Sequence, residues 1–201
     1  MLKNKLTSVV CLGSALALSA CGGPEAEDGA ELSQQSAALT TASSQGCDYE
    51  ATTVQITTSP PQYNIVITRT GGASCTLTTG QSVVVQTVPL AAPGTVSLSG
   101  SSMGLAVGFT MKNGWSGSAA TIMAVRAVDP TTLSTTRNAD IYCDYMTGSI
   151  LTGGANISAN GTDLSASGTK ACKIGGKSGT YWVAKFTDFF TTTTPPVITT
   201  I

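Results

Sequence analysis

From Ala51 onward the apolar residues recur at every second position and many are β-branched, a period that restricts the chain to strands. Val54 and Ile56 alternate with Gln55 and Thr57, Tyr63, Ile65 and Ile67 with Asn64 and Thr68, and Val83 and Val85 with Ser82 and Gln86. One row of such a run faces a core and the other faces water, so these read as half-buried strands. Residues 96–98, 105–111, 119–128, 139–145 and 181–190 fit the same reading. Pro60-Pro61, Gly71-Gly72, Pro93-Gly94, Asn113-Gly114, Asp129-Pro130, Asn160-Gly161 and Gly175-Gly176 break the runs. Short strands at this spacing predict an all-β fold with little helix, either an antiparallel β-sandwich or two similar small β lobes. Beyond Pro195-Pro196 only an edge strand at Val197 and Ile198 is expected, because proline cannot donate to a ladder.

The first twenty residues follow a different rule. Lys3 and Lys5 precede an uncharged run of small and apolar side chains over 6–20. A membrane span needs about 20 apolar residues, so this shorter run reads as a cleaved signal peptide. It closes on Leu18-Ser19-Ala20-Cys21, which resembles the lipobox of bacterial lipoproteins. The resemblance covers residues 1–21. It implies that the Cys21 sulfur takes a diacylglyceryl group, that the chain is cut before it, and that the new amino terminus receives a further acyl chain such as palmitate. Each buried methylene contributes about 0.8 kcal/mol, so two or three chains make a durable anchor where one does not. In that family an aspartate after the cysteine favours retention at the inner membrane. Gly22 stands there, which implies a place in the cell envelope at the outer membrane. Residues 21–46 lack hydrophobic periodicity and are expected to form a flexible tether to a β domain over 47–201.

Cys11 falls in the discarded run and Cys21 in the anchor, which leaves Cys47, Cys75, Cys143 and Cys172. Four cysteines allow three connectivities, and a disulfide framework suits an exported chain. Cys-Asp-Tyr occurs at 47–49 and again at 143–145, each followed by another cysteine 28 or 29 residues after the first. That spacing favours Cys47 with Cys75 and Cys143 with Cys172. It also raises an internal duplication against simple coincidence in a Thr/Ser/Gly-rich chain. With no Cys-x-x-Cys pair and no histidine, zinc is the weaker use of these thiols.

The lack of histidine narrows the chemistry furthest. It excludes Ser-His-Asp and Cys-His catalysis and histidine metal sites. Gly100-Ser101-Ser102-Met103-Gly104 matches the hydrolase elbow but has no base, and reads as a turn. Ser167 and Lys170 match Ser-x-x-Lys without its companion motifs. Residues 171–178 match a phosphate loop loosely, but residues 179–183 continue as a strand, not a helix. Asp140 and Asp144 are the remaining acids for hydrolysis. Four residues along a strand separate them by about 13 Å, beyond a glycosidase pair, so solvated edge charges are expected.

The formal net charge of −1 conceals a division, since Glu25, Glu27, Asp28 and Glu31 all fall in the tether. The rest is nearly neutral, with its charges scattered apart from a small group at Lys170, Lys173 and Lys177, so nucleic acid is not an expected partner. Trp115, in a turn, is a candidate for stacking on a ligand, while Trp182 alternates into a core strand. The expected function is a non-catalytic binding or structural module of the envelope, without cofactor or metal, attached to the membrane by its lipid and touching an envelope protein or glycan. The alternative is a small carboxylate-dependent hydrolase.

Overall fold

The computed structural model describes residues 37–146 and 148–201. Twelve strands form three antiparallel four-stranded sheets. The first sheet contains β1 (Ala37–Ser44), β2 (Cys47–Thr58), β3 (Pro61–Gly71) and β4 (Ser82–Pro89) in chain order. The second contains β5 (Val96–Ser101), β6 (Gly104–Lys112), β7 (Thr121–Val128) and β8 (Thr135–Ile141), also in chain order. The third runs β12 (Val197–Thr200), β11 (Tyr181–Phe186), β10 (Leu164–Thr169), β9 (Gly154–Ile157). A three-residue 3₁₀ turn at Asp144–Met146 is the only helical piece among the described residues. The all-β antiparallel expectation holds, and β12 is the edge strand expected after the prolines.

The second sheet lies between the other two. Leu105, Val107 and Phe109 pack in one core with Tyr49, Ile65, Ile67 and Val88 of the first sheet. Their neighbours Ala106, Met123, Val125 and Ala127 pack in another with Leu164, Ala166, Trp182 and Phe186 of the third. Successive residues of a strand point to opposite faces, so β6 and β7 are buried on both. This corrects the half-buried reading of 105–111 and 119–128, whose unbroken apolar runs suit a doubly covered strand. The two sheets approach closely where β6 crosses β9, because the facing positions Gly108 and Ala155 are small. A Cβ on Gly108 would come within 2.7 Å of the Ala155 Cβ and 2.8 Å of the Met123 Cε. Ser97 Oγ and Ser99 Oγ accept the β9 amides of Ala155 and Ile157 across the same gap.

Two expectations about boundaries and symmetry change. Strand β1 occupies Ala37–Ser44, so 37–46 belong to the β domain and not to the tether. Its Ser44 Oγ donates to the Ser101 carbonyl, tying the first sheet to the second. The disulfides are Cys47–Cys75 and Cys143–Cys172, as the spacing favoured. The Cys-Asp-Tyr copies nevertheless differ in structure. Tyr49 lies in β2, fully buried, whereas Tyr145 lies in the 3₁₀ turn at φ 59°, 93% exposed.

Strand direction sorts the loops onto two ends. At one end lie the β4–β5 loop, the β6–β7 hairpin tip, residues 142–153 and the β10–β11 loop. They are joined by Gly94 N to Thr110 Oγ1, Ile150 N to the Thr121 carbonyl and Ala171 N to the Ser149 carbonyl. At the opposite end lie the β1–β2 turn, the β3–β4, β7–β8 and β9–β10 loops and residues 187–196. Here Arg69, 1% exposed, donates to the carbonyls of Thr78, Pro130 and Thr131 and to Gln81 Oε1, beside the Tyr49 ring. Tyr49 Oη donates to the Pro130 carbonyl as well.

Asp129 holds that β7–β8 loop in place. Its Oδ1 accepts the amides of Thr132 at 2.7 Å and Thr131 at 2.8 Å and the Thr132 hydroxyl. Those bonds, the Thr132 amide foremost, hold its carboxyl below the usual aspartate value against the opposing effect of burial. The stabilisation is therefore complete above the unfolded pKa of about 3.9 and is lost as the pH falls through the lower folded value. Asp129→Ala is expected to cost about 1 kcal/mol at neutral pH, and Asp129→Asn to flatten the loss of stability between neutral and strongly acidic solution. Denaturant titrations at the two pH values check both. An unchanged pH profile in Asp129→Asn would contradict the assignment.

Candidate functional site

The acids and bases singled out in the sequence are bound into the framework. Asp140, on β8, accepts from Arg126 Nη1 at 2.7 Å, and the Tyr142 hydroxyl donates to its other oxygen at 3.2 Å. Arg126 itself is buried over the Phe109 ring and reaches Gln86 Oε1 of the first sheet. Burial first, and the Asp140 charge next, raise the Tyr142 hydroxyl above its ordinary pKa. Asp144 accepts the amides of Gly175 at 2.8 Å and Gly176 at 2.7 Å. Both glycines have positive φ, 59° and 75°, and their consecutive amides form a small anion-binding nest. The segment that matched a phosphate loop thus holds an internal carboxylate, and β11 follows it as a strand. Both aspartates were expected to be solvated edge charges; each instead carries a structural bond.

The serine and lysine matches fare alike. Ser101 pairs with Gly104 at the β5–β6 hairpin, and its hydroxyl donates to the Gly161 carbonyl at 2.7 Å. Ser167 is exposed on β10, while Lys170 is 2% exposed and donates to the carbonyls of Cys172, Gly179 and Lys177. That lysine clamps the β10–β11 loop beside the second disulfide. Among the described residues no group of three or more His, Cys, Asp and Glu is placed to hold a metal.

Trp115 lies at the tip of the β6–β7 hairpin, 62% exposed. Lys112 Nζ donates to the Ala119 carbonyl and Asn113 N to the Ala120 carbonyl, which closes the base of that tip. A groove of about 320 Å³ runs below it between Ala91, Gly94, Thr110, Lys112 and Leu151. Beyond residues 148–151 a second groove, about 530 Å³, is lined by Asp144, Tyr145, Lys173 and Gly176. Trp115, Tyr142, Tyr145 and Tyr181 are the four large exposed aromatic side chains among the described residues. All four lie at this end: Tyr142 and Tyr145 follow β8, whose last residue Ile141 pairs with Met123, and Tyr181 begins β11 opposite Thr169. Leu151 and Ile201, 54% and 82% exposed, lie with them.

No family model, curated protein or solved structure matches this chain. The assignment of a site therefore rests on its own residues. Sequence reasoning found Trp115 and missed the three tyrosines, which sit in separate runs and meet only through the strand order. Cys21, the lipidation candidate, lies outside the described residues. Trp182, predicted as core, is fully buried.

Proposed function

We propose that this chain is a lipid-anchored, non-catalytic module of the bacterial cell envelope, held at the outer membrane through Cys21, which binds or scaffolds another envelope component through the end that carries Trp115. The supporting observation is the gathering of Trp115, Tyr142, Tyr145 and Tyr181 at one end of a three-sheet domain. Aromatic side chains with an apolar ring and a polar tip are enriched at contact surfaces, and all four large exposed ones among the described residues are placed at this end. The engagement of Asp140 by Arg126 and of Asp144 by two backbone amides supports a binding role over carboxylate-dependent hydrolysis.

Two experiments test the reading. Cys21→Ser is expected to abolish incorporation of labelled palmitate and to move the protein from the membrane to the soluble fraction. Continued sedimentation with lipid would refute the anchor. A photocrosslinking residue at position 115 in intact cells is expected to give an adduct with an envelope component, whether phospholipid, protein or glycan, that the same residue at Thr187, on the opposite end, does not give. No adduct at 115 would refute the binding surface.

A further inference from the structure

The aromatic end also carries most of the exposed positive charge. Lys112 ends β6, and Lys173 and Lys177 are exposed in the β10–β11 loop. Asp144, the acid beside them, has both oxygens on the Gly175 and Gly176 amides. The opposite end carries Asp48, Asp129, Asp163 and Asp188. Asp163 is held below the usual aspartate range by the Asp188 amide first and by Asn160 next. A domain that is nearly neutral in sum is thus polar along its strands, basic and aromatic at one end, acidic at the other.

Strand β1 gives this axis a direction relative to the anchor. It runs from Ala37, level with Thr53 in the middle of β2, to Ser44 beside Ser101 at the acidic end. Followed backwards, it points toward the aromatic end. Fifteen residues, 22–36, separate its first residue from Cys21. A chain of that length spans about 20 Å root mean square as a flexible coil and about 50 Å at full extension.

We infer that Trp115, Tyr145 and Tyr181, with Lys112, Lys173 and Lys177, seat the domain on the anionic phospholipid headgroups of the membrane that Cys21 enters. This rests on the lipid-anchor reading and names what its aromatic surface touches. Trp and Tyr place an apolar ring and a polar tip at headgroup level. A lysine near an anionic bilayer strengthens attachment roughly fivefold. Leu151 and Ile201 add apolar area to the same face. The acidic end then projects away from the bilayer.

The test uses the full lipidated chain in vesicles of phosphatidylethanolamine and brominated phosphatidylglycerol. Trp182 is fully buried, so Trp115 is the accessible emitter. Brominated lipid is expected to quench most of the Trp115 emission and to leave a tryptophan at the opposite end, Thr187→Trp in a Trp115→Phe background, unquenched. Equal quenching of the two, or none, overturns the inference. Trp115 unquenched by lipid yet shielded from aqueous acrylamide would assign the face to the acidic stretch at 25–31, and crosslinks from position 115 to protein or sugar would assign it to those partners; either overturns it. The Cys21→Ser chain separates the surface from the anchor. Its residual binding to phosphatidylglycerol vesicles is expected to fall about 25-fold in Lys173→Gln/Lys177→Gln with no change in melting temperature. Binding that ignores those lysines and salt would also overturn the inference, whatever the state of the lipid.

Discussion

Replacing Cys47 and Cys75 together by alanine is expected to destabilise the domain by about 3–4 kcal/mol, and replacing Cys143 and Cys172 to do the same. The bridges close loops of 28 and 29 residues, so the unfolded chain regains a similar amount of freedom in either case. Their native surroundings differ. Cys47 is fully buried at the start of β2 and belongs to the core between the first two sheets; its bridge pins the β3–β4 loop that carries two of the acceptors of Arg69. Cys143 belongs to the other core, and its bridge holds Asp144 over the Gly175–Gly176 nest. Because the two share no partners, their costs are expected to add. A loss of roughly 7 kcal/mol is of the size of a whole domain's stability, so the chain without both bridges is expected to be unfolded at ordinary temperature. Each single-bridge variant is expected to melt about 6–16 °C lower. Calorimetry of the three variants, or of the protein with and without reductant, measures this. A change below about 1 kcal/mol for either bridge would show that its loop is already ordered in the unfolded ensemble.

The disulfides were legible because cysteine is rare and its spacing repeats. The strands were legible wherever inward positions carry large β-branched or aromatic side chains, as in β3 and β4. In β2 the strand was legible but its face was not, since Val54 and Ile56, expected inward, lie on the partly exposed side while Tyr49, Ala51 and Thr53 point into the core. They were not legible where the sheets close on one another through small residues. In β10 the alternating Leu164, Ala166 and Gly168 have the right period but little apolar contrast with Ser165 and Ser167. Strand β9, with Ala155 against Gly108, has still less. Strand β1, Ala-Ala-Leu-Thr-Thr-Ala-Ser-Ser, gives no alternation and takes its conformation from pairing with β2. Close sheet contact therefore removes the hydrophobic signal by which strands are recognised. The same reasoning explains the site. Trp115 stands out in its turn, but the lysines and tyrosines that accompany it share an end of the domain only because of the order in which antiparallel strands return. The locking of Asp140 by Arg126 and of Asp144 by two glycine amides likewise needs contacts between distant segments.

The two tryptophans separate the cost of folding from the cost of function. Trp182 pairs with Gly168 on one side and Thr200 on the other, and its ring edge covers Gly153 beside Met123 of the central sheet. A Cβ at Gly153 would come within 2.5 Å of the Met123 Sδ and 3.2 Å of the ring, so there is no room for a side chain at that position. Its Nε1 donates to the Thr169 carbonyl at 3.3 Å. Trp182→Ala removes the largest fully buried side chain from the second core and leaves a cavity that neighbouring strands, fixed by their ladders, cannot close. The expected loss is about 3–5 kcal/mol. Trp182→Phe keeps most of the apolar contact and is expected to cost less than the alanine variant, since the Thr169 carbonyl that loses the indole N–H still accepts the Leu151 amide at 2.8 Å and the Thr152 amide at 3.3 Å. Trp115→Ala, at an exposed hairpin tip, is expected to change stability by less than about 0.5 kcal/mol. Denaturant unfolding of the three variants decides it. If Trp115→Ala proved as costly as Trp182→Ala, Trp115 would be a packing residue of the hairpin, and the aromatic end would lose the side chain on which its role as a contact surface depends.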